Sequence, residues 1–399
     1  MSEPSRTGRI GELARLFFKL GIIGFGGPAA HIAMMEEEVV ERRGWIDRQY
    51  FLDLIGATNL IPGPNSTEMT MHVGYARAGW LGLAVAGLSF IIPAASLTVI
   101  FAWMYVRFGT MPAVEPFLVG IKPAVLAVIL GALWRLGRKA VKGMALTVLG
   151  VGVGALLLFG LGEVSALLLG GLVGMLVLVA IGAGARPAPP SGRRNEASSS
   201  HKLAGFFIAL QPLAAGAAAS VGGVTLWKLG FYFLKVGAVL YGSGYVIIAF
   251  IEGDLVEGYG WLTQKQLLDA VAVGQLTPGP VLTTATFIGY ILAGVPGAIV
   301  ATLCIFLPSF VFVGLLHPII PRLRKSRWTA AFLDAINVSA VALMAVVTLS
   351  LGRSVLIGWV RWCIFILAAF LIVRYKVNAL WLVGGGAFVG GLAATMALI

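Results

Sequence analysis

Charge is scarce in this 399-residue chain: Asp, Glu, Lys and Arg make up 12% of it, about half the share usual in a soluble domain. Cysteine is scarcer still. Cys304 and Cys363 are the only two, each inside an apolar run, which excludes a disulfide framework or a cysteine-built metal site. No Gly-rich loop ending in Gly-Lys-Ser/Thr is present to cradle a nucleotide, so an ATP motor is excluded. The four histidines are dispersed and none falls in a His-Glu-x-x-His frame, so no metal is expected. Gly242-Ser-Gly244 lacks the frame of a nucleophile elbow. An enzyme is therefore not expected, nor a cofactor. Polar sequence long enough to form a soluble domain is also missing.

What is present is apolar: 59% hydrophobic residues and 53 glycines, with a mean hydropathy of +0.94. That composition describes an all-α polytopic membrane protein whose helices pack closely through glycine. The net charge of +12 reads as orientation signals in cytoplasmic loops, not as a nucleic-acid surface. Arg6, Arg9 and Arg15 precede a long apolar stretch without a small-residue cleavage site. The reading here is a retained first element, not a signal peptide.

One tripeptide punctuates the apolar runs, and it occurs twice: Pro62-Gly63-Pro64 and Pro278-Gly279-Pro280. Two prolines around a glycine remove two N–H donors and cannot continue a helix. Irregular backbone in hydrocarbon persists only when it is buried in protein or lines a wet cavity. Matched breaks in two halves are a sequence pointer to a transporter's binding site.

The two copies belong to an internal repeat. A shift of 216 residues carries Lys19 onto Lys235, Gly26 onto Gly242, Glu36 onto Glu252 and Glu41 onto Glu257. It also carries Gly44-Trp45 onto Gly260-Trp261, Asp53 onto Asp269 and one PGP onto the other. Nineteen of the fifty-four positions from 17 to 70 are identical under that shift, and shared hydrophobicity alone would not register Glu, Asp, Trp and Pro. The expected domains are a first repeat over 1–184, a cytoplasmic linker over 185–202, an extra membrane segment over 203–225 and a second repeat over 226–399.

Expected spans lie at 13–35, near 80–107, 117–134, 145–160 and 164–183, then at 226–250 and near 297–316, 330–350, 355–373 and 378–397. Residues 51–75 and 267–293 form the broken elements, as kinked spans or re-entrant hairpins. Arg135, Arg138, Lys139 and Lys142 make one basic loop; Arg322, Arg324, Lys325 and Arg327 make another, at a non-equivalent place in the repeat. The positive-inside rule then inverts the halves relative to each other, and 203–221 supplies the odd crossing. Arg42 and Arg43 oppose this if 13–35 crosses once; a re-entrant first element removes the objection.

The ordered blocks Phe25-Gly-Gly-Pro28, Gly44-Trp45 and Pro62-Gly-Pro-Asn65, with Gly260-Trp261 and Thr277-Pro-Gly-Pro280, resemble the chromate ion transporter family in its long, two-domain bacterial form. The second half departs from the pattern with Tyr241-Gly-Ser-Gly244. The resemblance implies an inner-membrane secondary carrier that expels chromate, a tetrahedral dianion shaped like sulfate. A proton is the expected coupling ion, and a homodimer is compatible with this reading. The alternatives are a sulfate or general oxyanion permease and, from another class, a channel or membrane-embedded enzyme.

A dianion needs donors and positive potential, which broken helix ends supply. Gly26, Gly27, Pro62, Gly63 and Pro64, with Gly242, Ser243, Gly244, Pro278, Gly279 and Pro280, are the candidate binding backbone. Asn65, Ser66 and Thr67, then Thr283 and Thr284, would add side-chain donors. Lys19 and Lys235 either attract the anion or snorkel from span ends. Glu68 would carry a coupling proton, or else pair with His72 one helical turn on; His31 and His72 are further proton candidates or core residues. Glu36, Glu41, Glu252 and Glu257, paired between the repeats, read as solvated interfacial helices anchored by Trp45 and Trp261, with gating through salt bridges as the alternative. Asp53 and Asp269 are expected to cap or stabilise the start of each broken element.

Overall fold

A computed structural model describes residues 5–109, 111, 115–182, 220–221, 224–317, 319, 323 and 326–396. The linker 185–202 and most of the extra segment 203–225 lie outside the described residues, as do Arg322, Arg324 and Lys325 of the second basic loop.

The first half contains seven helices: α1 (Arg6–Ile23), α2 (Pro28–Glu36), α3 (Arg48–Thr58), α4 (Asn65–Phe108), α5 (Glu115–Ala140), α6 (Met144–Leu158) and α7 (Glu163–Ala180). A π-helical segment, Glu37–Arg42, extends α2. The second half repeats the series: α8 (Leu226–Val239), α9 (Ile247–Phe250), α10 (Gln264–Leu276), α11 (Thr284–Leu316), α12 (Arg327–Val355), α13 (Trp359–Tyr375) and α14 (Ala379–Thr395). A π-helical segment again follows α9, over Ile251–Gly258. A two-residue ribbon, Ser220–Val221 with Val224–Thr225, precedes α8. Helices α4, α5, α7, α11 (with its leading turn) and α12 are long and apolar enough to cross a membrane.

Residues 13–35 do not form one span. Gly24–Gly27 breaks the chain, and α2 folds back so that Lys19 Nζ lies 3.0 Å from Glu38 Oε1. A straight continuation would separate those two residues by about 28 Å at 1.5 Å per helical residue. Arg77 bonds Glu12 at 2.8 Å and lies 4.5 Å over the Trp45 ring, so the start of α1 and the end of the α2 extension stand at one level. Residues 226–250 break likewise at 240–243, with Lys235 Nζ 2.7 Å from Asp254 Oδ2. The first element is therefore re-entrant, and Arg42 and Arg43 stay on the side from which it enters.

The PGP elements also fold back. Tyr50, at the start of α3, and His72, two turns into α4, both reach His317. Asn65 Nδ2 donates to Asn59 Oδ1 across the tip at 2.9 Å. In the second half Asp269 of α10 and Phe287 of α11 meet the same Tyr105. Beyond each hairpin the long helix turns sharply, at Ala78-Gly79 and at Ala293-Gly294. The arm over 65–77 thus lies against 80–108, with Gly74 packed on Gly82, as Gly289 packs on Gly297.

Asp53 and Asp269 do not cap these elements. The α3 N-terminus is capped by Asp47, which accepts from Tyr50 N at 2.8 Å, and α10 by a Thr263–Gln266 capping box. Asp269 instead sits mid-helix and buried, accepting the Tyr105 hydroxyl at 2.8 Å. The acidic stretches are not fully solvated either, since Glu38 and Glu252 are buried.

Packing follows a pseudo-two-fold exchange. Helix α1 packs on α4 as α8 packs on α11, while α5 packs on α13 and α14 as α12 packs on α6 and α7. The equivalent long helices run antiparallel. Trp80 meets Gly314 and Gly87 meets Phe310, so α4 and α11 oppose. Lys142, just after α5, bonds Asp334 near the start of α12 at 2.6 Å. Val119 near the start of α5 and Val355 at the end of α12 line one cavity.

Candidate functional site

The four breaks converge on two crossed backbone hydrogen bonds. Gly63 N–H donates to Leu240 O at 2.8 Å, and Gly279 N–H donates to Gly24 O at 2.7 Å. Both bonds join residues that exchange under the 216-residue shift. Each PGP tip is thereby fastened to the broken first hairpin of the opposite half. Gly63 has φ +141° and Gly279 φ +85°, values that favour glycine. Space demands glycine as well: a methyl at Gly63 would collide with Glu68 and Ser309, and one at Gly279 would lie 2.6 Å from the Ala94 Cβ. These two N–H groups are already bonded, so what they bring to the site is its shape rather than a free donor.

Around the tips lie buried polar atoms without a protein partner. Glu68, fully buried in the first turn of α4, receives one long bond from Ser309 Oγ at 3.4 Å, and its Oε2 has none. Thr67 Oγ1 and Gln275 Nε2 are also unpartnered. A buried polar group left unpaired costs about 1–3 kcal/mol, which makes the atoms beside the two tips candidates for contact with a ligand. Gln275 Oε1 accepts the Tyr245 hydroxyl at 3.3 Å, and Gly27 of the opposite half faces that hydroxyl.

The remaining expected residues divide. Gly26 and Gly242 take positive φ at equivalent places, and Ser243 Oγ accepts from Tyr245 N. Gly244 packs on Leu282 beside the second PGP. Pro64 and Pro280 stand before the helical turns that follow each tip. Thr283 and Thr284 turn their hydroxyls back onto Pro280 O and Val281 O. Lys19 and Lys235 lie away from the tips, tied to Glu38 and Asp254.

His31 Nε2 meets Gly24 O at 2.9 Å, so it braces the carbonyl that also holds Gly279. His72 does not pair with Glu68; its Nδ1 lies 2.8 Å from His317 Nδ1. Among the described residues no group of three or more His, Cys, Asp or Glu side chains could hold a metal.

Sequence reasoning missed Gln275, Tyr245, Ser309 and His317. Gln275 carried a signal, because the shift pairs it with Asn59 directly ahead of the PGP. Ser309 and His317 carried none, since both reach the site from a helix distant in sequence.

Paired hairpins, each fastened at its tip to the first hairpin of the opposite half within two exchanged helical bundles, define a multi-pass membrane transporter built by duplication. The chromate transporter family model matches residues 11–175 and again 227–391, the two matches offset by 216 at either end (227 − 11 and 391 − 175). The chain belongs to that family, a multi-pass protein of the inner membrane in bacteria. It is 30% identical to the chromate transport protein of Cupriavidus metallidurans, over 96% of this chain and 92% of that protein. It is 28% identical to the chromate transport protein of Pseudomonas aeruginosa, over 86% and 81%. No solved structure matches the chain.

Proposed function

We propose that this protein exports chromate, a tetrahedral dianion, across the inner membrane by alternating access, with Glu68 exchanging a proton for the anion. The observation that carries this reading is the crossed Gly63–Leu240 and Gly279–Gly24 pair, beside which Glu68 stands buried with a free oxygen. A carboxylate buried without a cation stays there at a cost of several kcal/mol unless it takes up a proton. Thr67 and Gln275 supply neutral donors to the oxyanion, which limits the desolvation cost of a dianion site.

The halves act as inverted repeats, 1–184 and 226–399. Antiparallel packing of α5 on α12 and of α4 on α11 supports this, because equivalent spanning helices that run oppositely invert the topology. The Lys142–Asp334 bond sets the end of the first basic loop beside the first turns of α12, on a face that the positive-inside rule makes cytoplasmic. Two re-entrant hairpins and four crossings return the first half to that face.

Chromate uptake into everted vesicles tests the reading, with sulfate as competitor and a protonophore as control. Uptake that needs energisation and only weakly senses sulfate is expected. Equal handling of sulfate would make the protein a general oxyanion permease, and uptake indifferent to the protonophore would remove proton coupling.

A further inference from the structure

Away from the tips, α5, α10, α12 and α13 enclose a cavity of about 200 Å³. At about 30 Å³ per water, it has room for a tetrahedral anion with part of its hydration shell. Lys122, Lys265 and Arg361 line it together with Ser354 and Gln264, and no carboxylate does. Asp269 is buried, accepts the Tyr105 hydroxyl through Oδ2 and lies close enough to attract Lys122 and Lys265, and Glu115 meets Lys265 at 3.7 Å. Among the described residues the Arg361 guanidinium makes one long bond, to Val355 O at 3.5 Å, which leaves most of its donors for a ligand.

Duplication does not explain this charge. The 216-residue shift pairs Lys265 with Gln49, and a 215-residue shift that carries Phe117-Leu118 onto Phe332-Leu333 pairs Lys122 with Asn337. The half-turn counterpart of the cavity therefore lacks these two cations. The cavity lies where α5 begins and α12 ends, opposite the Lys142–Asp334 bond. From Lys265 the α10 helix leads to the tip at Pro278, about 20 Å away at 1.5 Å per residue.

We propose that Lys122, Lys265, Arg361 and Ser354 form a second tetrahedral-oxyanion site, a vestibule at the extracytoplasmic end of the path through the hairpin tips. Its place on a path rests on the transport reading above; its anion chemistry does not. Arg361 supplies a planar fork, Lys122 and Lys265 supply point charges, and Ser354 donates a hydroxyl. Outside the hairpin tips, such a site lowers the barrier for an anion leaving the membrane interior and is emptied by competition with bulk water and salt.

The test compares faces. Lys122→Gln and Arg361→Gln are reconstituted as full chains, with orientation sorted, and chromate is offered from one face at a time. The expected result is a KM at least tenfold higher from the extracytoplasmic face and within twofold of wild type from the other, with Lys122→Arg restoring most of the loss. Lys265→Gln, at the mouth, gives a smaller rise of the same handedness. An equal rise from both faces, or none from the extracytoplasmic one, overturns the vestibule.

If wild type moves no chromate, the transport reading fails, and equilibrium binding of radiolabelled chromate to the full chain in nanodiscs then decides the site. Loss of one bound chromate in the Lys122→Gln, Arg361→Gln double variant supports it; unchanged stoichiometry overturns it. Binding seen in phosphatidylcholine nanodiscs but abolished by phosphatidylglycerol would assign the pocket to a lipid headgroup and overturn the vestibule.

Discussion

Helix α10 is clamped and α3 is not, although the repeat makes them equivalent. In the second half α10 packs on α5 and α14, and α9 packs on α7 and α12. Among the described residues α3 makes no comparable packing on α12 or α7, and Leu52 on its outer face is 48% exposed. The chemistry divides in the same way. At the first tip Gly63 abuts Glu68 and Ser309; at the second, Gly279 abuts Ala94, and Thr284 takes the place of Glu68. One duplicated frame thus sets a carboxylate and a hydroxyl against the first tip glycine and a methyl group against the second. Under the proposed inverted repeat, two states related by exchanging the roles of the two hairpins give alternating access. Of the two residues that follow the tips at this equivalent place, Glu68 alone is ionisable, which under the proposed function makes it the coupling residue.

The largest effects are expected where the halves still agree. Gly63→Ala and Gly279→Ala each put a Cβ at positive φ into an occupied space. Either is expected to lower chromate uptake at least tenfold at unchanged membrane abundance. Uptake near wild type in either variant would separate that tip from the path.

Next come the positions where the halves disagree. Glu68→Gln keeps the shape and loses the proton. Energised uptake is expected to fall to the level seen with protonophore, while chromate–chromate exchange persists. Thr284→Val, at the equivalent place, is expected to stay within about threefold in both assays, because the Thr284 hydroxyl is spent on Val281 O. Equal damage at the two positions would erase the asymmetry of the tips.

The packing difference is testable without transport. Amides of α3 are expected to exchange with deuterium at least tenfold faster than those of α10 in nanodiscs, since local opening is easier where few apolar contacts must be broken. Saturating oxyanion is expected to narrow the gap. Matched exchange rates would mean that α3 is as well held as α10.

Much of this was legible in the chain. Proline and glycine wrote the breaks, because no neighbour can restore a donor that proline lacks, and the shift of 216 wrote the repeat. What sequence could not give was the direction of the chain after each break. Gly24–Gly27 permits a kink or a reversal alike; the Lys19–Glu38 distance, a fact of tertiary structure, decides for reversal. Expected partners failed for the same reason. His72 lies one turn from Glu68 on the same helix, yet it is taken by His317, 245 residues away. The sequence singled out Asp53 and Asp269 as caps because they recur, but recurrence reports a shared frame, not a shared bond.

The smallest expected effect concerns Lys19 and Lys235, which recur as faithfully as the PGP tips and for another reason. Each closes a first hairpin by an ion pair with an equivalent acid, Glu38 or Asp254, and the Lys19 side chain is 53% exposed. Water screens such a pair, so it contributes about 0.2–1 kcal/mol. Were these lysines anion ligands, Lys19→Gln and Lys235→Gln would raise the chromate KM steeply, and Arg would replace Lys poorly at a compact charge site. As hairpin clasps, both variants are expected to hold KM within about threefold and to lower the midpoint of thermal unfolding by a few degrees or less. Glu38→Gln should mimic Lys19→Gln, and the two changes together should cost little more than either alone, since partners in one pair are not additive. A steep KM rise confined to Lys19→Gln, with Glu38→Gln silent, would return the lysine to the anion path and make the first hairpin, rather than the PGP tip, the place where the halves differ most.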